Sequence, residues 1–286
     1  LAVENAPRGW EARFGAAPQL GAPVGFLFAN GLFLLLGLGL SEADFIAWGW
    51  RVPFLASAIL VGLGLWVRLR IGETAAFREA LDKAPPAPVP LARLLSRHLG
   101  PLLAGCAGVV ACFAIFYLST AHALSYGTGA LGFSRERFLA IQLIANLFLA
   151  LGIVLAAIRA DRTTPRRVLL EGAGLTVLLG LAFGPGLASG QPLVILATLG
   201  FALFVMGLVY GPLGGWLPTL FPVQVRYSGI SVAFNAGGIV GGALTPIAAQ
   251  LLAAEGQGGE VGLLLSAAGL LTLLGVALAR PAAATA

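Results

Sequence analysis

Gly172–Val225 reads GAGLTVLLGLAFGPGLASGQPLVILATLGFALFVMGLVYGPLGGWLPTLFPVQV, 54 residues without one charged side chain. A helix rising about 1.5 Å per residue crosses the roughly 30 Å hydrocarbon core of a bilayer in about 20 residues. The stretch is therefore too long for one span. It reads as two, 170–187 and 192–217, parted where Gly184-Pro185-Gly186 and Gly190-Gln191-Pro192 supply a break. The same criterion applied outward yields 138–158, 99–124, 52–67 and 18–40 on one side, and 227–253 and 261–279 on the other. Span 52–67 is short, but snorkelling of Arg51 and Arg68 and the preceding Phe45–Trp50 segment extend it. An all-α integral membrane bundle with eight transmembrane helices follows.

Composition points the same way. Of 286 residues, 58% are hydrophobic and 10% charged, against about a quarter charged in an ordinary globular domain. That balance excludes a soluble enzyme, a nucleic-acid binder and a disulfide scaffold. Cys106 and Cys112 stand six apart in one apolar run, point to different helix faces and read as small packing residues. The chain has no His-Glu-x-x-His zinc site, no glycine-flanked serine nucleophile and no phosphate-cradling glycine loop. No Asp or Glu lies in the middle of a span, so no catalysis, cofactor or metal is expected. Trp48, Trp50, Trp66 and Trp216 stand at span ends and read as interfacial belts.

The formal charge of +5 becomes informative once the basic residues are assigned to sides of the membrane. One side collects Arg8, Arg13, Arg68, Arg70, Arg78, Lys83, Arg93, Arg97, Arg159, Arg162, Arg166, Arg167, Arg226 and Arg280, which is 14 of the 17. The other holds only Arg51, Arg135 and Arg137. Cytoplasmic loops carry the excess of Lys and Arg, so both ends of the chain are expected in the cytoplasm and the partner of the basic residues is the bilayer. The acidic residues barely discriminate between the sides, as expected of a rule that counts positive charge.

Residues 68–97 carry the Pro85-Pro86-Ala87-Pro88-Val89-Pro90 stretch and read as a linker between two halves. Two spans precede it and six follow, whereas carriers built from repeated halves have equal numbers on both sides. The chain is therefore expected to be a fragment lacking four leading helices of twelve, in keeping with its start at Leu1-Ala2-Val3. Residues 1–67 would close an N-terminal six-helix half, 68–97 would join the halves, and 98–286 would form the C-terminal half.

Several segments carry a family signature. They are Glu4-Asn5-Ala6-Pro7-Arg8-Gly9 with Pro18-Gln19-Leu20-Gly21, then Trp48-Gly49-Trp50-Arg51-Val52-Pro53-Phe54, Arg68-Leu69-Arg70-Ile71-Gly72-Glu73-Thr74-Ala75-Ala76-Phe77, and Leu220-Phe221-Pro222-Val223-Gln224-Val225-Arg226-Tyr227-Ser228-Gly229. Together they resemble the metabolite:proton symporters of the major facilitator superfamily, which include shikimate, α-ketoglutarate, citrate and proline/betaine carriers. The resemblance implies helices five to twelve of that fold, and loops that latch the cytoplasmic face through Asp161, Arg162, Arg166 and Arg226. Arg226 also reads as a clamp on a helix C-terminus or on anionic lipid. Two positions depart from the pattern. Thr163-Thr164-Pro165 replaces a glycine-containing turn, and Thr219 stands where relatives carry Glu.

Polar residues that lipid would reject are the remaining candidates. Tyr117 and Thr120 share a helix face with Ala121, and His122 pairs with Tyr126 four residues on. Gln142 and Asn146 share a face, whereas Asn30 and Asn235 stand singly. A carboxamide in lipid is costly unless paired, so each is expected to face the bundle or the cavity. Gln19, Asn30, Tyr117, Thr120, Gln142, Asn146 and Asn235 are thus candidates for the substrate pathway, with helix-to-helix hydrogen bonding as the alternative for each. The paired Gly237/Gly241 and Gly238/Gly242 read as packing contacts, and Tyr210–Gly215 as a break in its span. The expected activity is proton-coupled symport of a small polar metabolite, an organic acid or zwitterion, by a carrier that acts as a monomer when full length in a bacterial inner membrane. An uncoupled facilitator, a drug or sugar exporter, and a non-transporting sensor derived from a carrier are the alternatives.

Overall fold

The structure is a computed structural model that describes residues 6, 7, 9–70 and 90–280. The Pro85–Val89 part of the linker, residues 71–77 of the family signature, and Arg8, Arg78 and Lys83 lie outside the described residues. Eight helices are long and apolar enough to cross a membrane, and no strand occurs among the described residues. They are α1 (Glu11–Gly39), α2 (Gly49–Val67), α3 (Leu99–Gly129), α4 (Arg135–Arg162), α5 (Pro165–Ala188), α6 (Pro192–Leu220), α7 (Arg226–Ala254) and α8 (Gly258–Leu278). Each coincides with one expected span; α7 matches to within one residue at either end, and the others run three to seven residues past the expected span at one or both ends. Charged residues at the termini extend the helices past the apolar windows, as with Arg135 and Arg162 at the two ends of α4.

Local chemistry sets the helix starts. Ser134 caps α4 by accepting from the Arg137 N–H at 3.3 Å, and Thr164 caps α5 by accepting from the Arg167 N–H at 3.2 Å with Pro165 at the first helical position. The Thr163-Thr164-Pro165 departure thus builds a sharp helix start. Gly184-Pro185-Gly186 does not part the fifth and sixth spans as expected: α5 runs through Pro185 to Ala188. The chain turns instead at Gly190, whose φ of +67° is open to glycine without strain. The break at Tyr210–Gly215 does form, as a turn at Gly211-Pro212 followed by Leu213–Trp216 and a 3-10 turn over Leu217–Leu220.

α3–α8 form one interlocked unit in which α4 lies on α6, α5 on α6 and α8, and α3 on α7 and α8. Glycine permits the close crossings. A Cβ on Gly241 would stand 2.3 Å from the Val110 carbonyl oxygen, and one on Gly237 2.4 Å from that of Cys106. Gly237 and Gly241 therefore seat α7 on α3, as their spacing suggests, while Gly238 and Gly242 meet the rings of Phe113 and Tyr117. Cys112 is buried and Cys106 half-buried, both free. Trp216 is no interfacial anchor: it is 3% exposed and its ring fills the space beside Gly108, because the bend at Gly211-Pro212 turns the end of α6 inward. Trp48, Trp50 and Trp66 are exposed. α1 lies along α4, and among the described residues α2 packs closely only on α1 and on the short helix Glu42–Ala47 between them.

Candidate functional site

Two of the expected pathway residues organise a buried polar layer between α3, α4 and α1. α3 opens into a π-turn over Leu118–His122, which loosens its backbone pairing. Gln142 on α4 answers it: Nε2 donates to the Ser119 and Thr120 carbonyls at 3.0 and 2.7 Å. One turn on, Asn146 Nδ2 donates 2.8 Å to the carbonyl of Pro23 on α1. Both side chains are buried, and Asn146 Oδ1 and Ser119 Oγ have no hydrogen-bond partner among the described residues. Thr120 is turned inward, with Oγ1 donating to the Phe116 carbonyl of its own helix. The π-turn separates Thr120 from Tyr117, so the two hydroxyls do not share a face as expected. His122 is buried with its ring stacked on Tyr126 at 6.0 Å between centroids.

A second group lies on the less covered side of the unit. Tyr117 is 38% exposed, Asn235 is exposed and Asn30 half-buried. Neither carboxamide pairs across helices as expected. Asn30 Nδ2 donates to the Phe26 carbonyl at 3.1 Å and Asn235 Nδ2 to the Ser231 carbonyl at 2.8 Å, each four residues back on its own helix. A helix carbonyl has a second lone pair, so an amide meets part of its need without a neighbouring helix. A run of rings crosses this side: Phe26 meets Phe116 at 5.9 Å, Phe116 meets Tyr117 at 5.6 Å, Tyr117 meets Phe113 at 6.5 Å and Phe113 meets Phe234 at 5.1 Å. α7 has its own π-turn here, over Val240–Leu244. Pro246 accounts for it, since it cannot donate to the Gly242 carbonyl and its ring crowds that carbonyl. Thr245 Oγ1 donates to the Val240 carbonyl at 3.2 Å. Gly242, within this turn, lies against the Tyr117 ring.

The expected gating residues do not form one cluster; they tie helix ends in separate pairs. Asp161, its side chain 2% exposed, accepts from the Ala12 N–H at 2.7 Å and pairs with Arg13 Nε at 2.9 Å, fastening the end of α4 to the start of α1. Arg166 donates to the Val276 and Ala277 carbonyls at 3.2 and 2.9 Å, capping the C-terminus of α8 from the first turn of α5. Arg226 Nε donates to the Phe221 carbonyl at 3.3 Å and so clamps the end of α6. Arg162 is exposed. Thr219 Oγ1 donates to the Trp216 carbonyl at 2.6 Å, and Thr219 and Arg166 line one cavity of about 230 Å³ with Pro165 and Gly215. Gln19 sits at the kink of α1, with Nε2 3.5 Å from the Tyr210 carbonyl at the break of α6.

Several contributors escaped the sequence reading. Thr272 Oγ1 accepts from the Ala111 N–H at 3.0 Å and donates to the Ala107 carbonyl at 2.7 Å, bridging one step of the α3 ladder from α8. Ser266 Oγ donates to the Val177 carbonyl on α5. Both are lone hydroxyls in an apolar run, the signal already used for the amides. Arg13 carried no such signal, because its partner stands 148 positions away. The available chemistry is hydrogen bonding and aromatic contact around two yielding helices, without a carboxylate at membrane depth.

No family model matches the chain. It is 38% identical over 283 residues to the inner membrane metabolite transport protein YhjE of Escherichia coli (strain K12), covering 97% of this chain and 64% of that protein. With the shikimate transporter of the same organism identity is 32%, over 88% of this chain and 58% of the transporter. With its proline/betaine transporter identity is 25%, over 89% and 53%. The chain thus spans less than two thirds of the length of these relatives. Along nearly its whole length the chain is thus similar to proteins named as metabolite transporters, and its helices form an all-α membrane bundle of the kind expected of the major facilitator superfamily.

Proposed function

We propose that the protein to which this chain belongs is a secondary active transporter of a small polar metabolite, an organic acid or zwitterion, carried together with a proton by alternating access. One observation carries the reading: the π-turn of α7 lies on α3 at the Tyr117–Gly242 contact, immediately before the π-turn of α3 itself, beside polar groups at membrane depth. Helices with such turns bend at low cost, and π-turns recur at functional sites. Tyr117, Asn235 and Asn30 on the less covered side are the substrate contacts in this reading, with Gln19, Thr120, Gln142 and Asn146 holding the surrounding helices. Asp161, Arg166 and Arg226 act as the cytoplasmic latches, with Arg162 at their edge. Residues 68–97 join two halves, both ends of the chain face the cytoplasm of a bacterial inner membrane, and the carrier works as a monomer. Its names for substrates come from relatives, a shikimate transporter and a proline/betaine transporter.

A second reading has its own support. None of the eight spans of this chain carries an Asp or Glu at its middle, so an uncoupled facilitator or exporter stands beside the symporter as a second reading. Uptake of radiolabelled shikimate, proline and glycine betaine into vesicles bearing the protein discriminates between them. Accumulation that a protonophore abolishes is the expected result. Equilibration indifferent to the proton gradient supports the facilitator. Absence of uptake of every substrate, unrestored by Thr219→Glu facing Arg166, leaves the sensor derived from a carrier.

A further inference from the structure

A cleft of about 680 Å³ lies between α3, α7 and α8, lined by none of the pathway candidates and with one end beside the Arg166 cap on α8. α7 and α8 pack closely only where Thr245–Ala254 meets α8; beyond the π-turn, toward Arg226 and Leu278, they part. α3 floors the gap from Gly100 to Val110, and small residues, among them Gly100, Ala104 and Ala107, keep that floor low. Ten residue steps of helix make the cleft about 15 Å long, half of a roughly 30 Å hydrocarbon core, so it spans one leaflet. Its walls are apolar, Leu271 and Leu274 among them, and one charge, Arg280, stands at its rim. That rim lies just past the C-terminus of α8, where Arg166 already holds the last carbonyls. Among the described residues Arg280 pairs with no carboxylate.

We propose that this cleft is a binding site for one anionic phospholipid, with an acyl chain lying on α3 between α7 and α8 and the phosphate held by Arg280. The rim charge favours a lipid over an apolar helix of a second copy, which would leave Arg280 without a counter-charge. A flexible hydrocarbon chain fills such a slot, and a guanidinium at the leaflet boundary matches a phosphate in charge and geometry. An occupant of this kind would hold α7 and α8 apart without touching the substrate side.

The test is native mass spectrometry of the purified chain equilibrated with equal amounts of phosphatidylglycerol and phosphatidylcholine. One retained lipid is expected, with about a fivefold preference for phosphatidylglycerol, the effect of one arginine near a membrane surface. Arg280→Gln, at the end of the helix, should abolish the preference. A Cβ on Gly100 meets no atom within 4 Å, so Gly100→Phe sets a ring in one end of the cleft and should weaken retention of either lipid. Equal retention of both lipids, an unchanged preference in Arg280→Gln, or a dimer in place of a lipid adduct would overturn the proposal.

Discussion

Asp161 shows how much a single side chain contributes when it is buried at a helix end. Its carboxylate takes the Ala12 N–H and the Arg13 guanidinium, and both lose their partner in Asp161→Ala. Leaving a half-buried donor such as the Ala12 N–H unpaired costs about 1 kcal/mol, the low end of the range for buried groups; Arg13 is partly exposed and adds little. Thermal unfolding in detergent should register that loss, with Asp161→Asn nearer the native protein because the amide oxygen still accepts from Ala12. Loss of stability equal in both variants would mean that the charge alone matters. Thr272→Val removes two backbone contacts of one hydroxyl while keeping its shape, and should cost about 0.6–1.7 kcal/mol by the same measurement. In contrast, the Arg159–Glu171 pair is bidentate but exposed, and Glu171→Ala should cost no more than about 1 kcal/mol. Asp161 and Asn146 were legible as residues that need partners, but Ala12 and Pro23 were not legible as those partners. A backbone group bears no residue-type signal, and each lies more than 120 positions away.

At the scale of the helix, the glycines and prolines have unequal roles that the same letter conceals. A side chain on Gly241 drives into the Val110 carbonyl, whereas one on Gly31 meets nothing within 4 Å. Gly241→Ala should therefore sharply lower the yield of folded protein on size-exclusion chromatography, while Gly31→Ala stays within about 0.5 kcal/mol of the original stability. Pro246 sustains the π-turn of α7, and Pro185 sits within α5 without ending it. Pro246→Ala lets the α-helix close over Val240–Leu244, and the expected outcome is a higher melting temperature with a slower initial rate of uptake. A faster rate would show that the turn does not serve transport. The break at Gly211-Pro212 was legible because proline and glycine act locally. The fate of Gly184-Pro185-Gly186 was not, because α5 is held together there by α8: a Cβ on Gly184 would run into the backbone of Gly259.

For the whole molecule, the distribution of arginines leads to a direct prediction of sidedness. Ala130, in the α3–α4 turn, and Arg162, at the far end of α4, are both exposed. An impermeant maleimide should label Ala130→Cys in intact cells and Arg162→Cys only after permeabilisation; the reverse pattern would invert the orientation. Eight spans and their order follow from the sequence by itself, because burial in lipid is a one-dimensional demand: about 20 apolar residues in a row, with charge excluded. That demand says nothing about neighbours, since every face of an apolar helix is acceptable to lipid. Which helices touch was decided only in three dimensions, by glycines that admit a backbone and hydroxyls or amides that find a carbonyl. The partition of Gln142 and Asn146 into a buried layer, and of Tyr117 and Asn235 onto the less covered side, is likewise tertiary, because it depends on the two π-turns that rotate one half of each helix against the other.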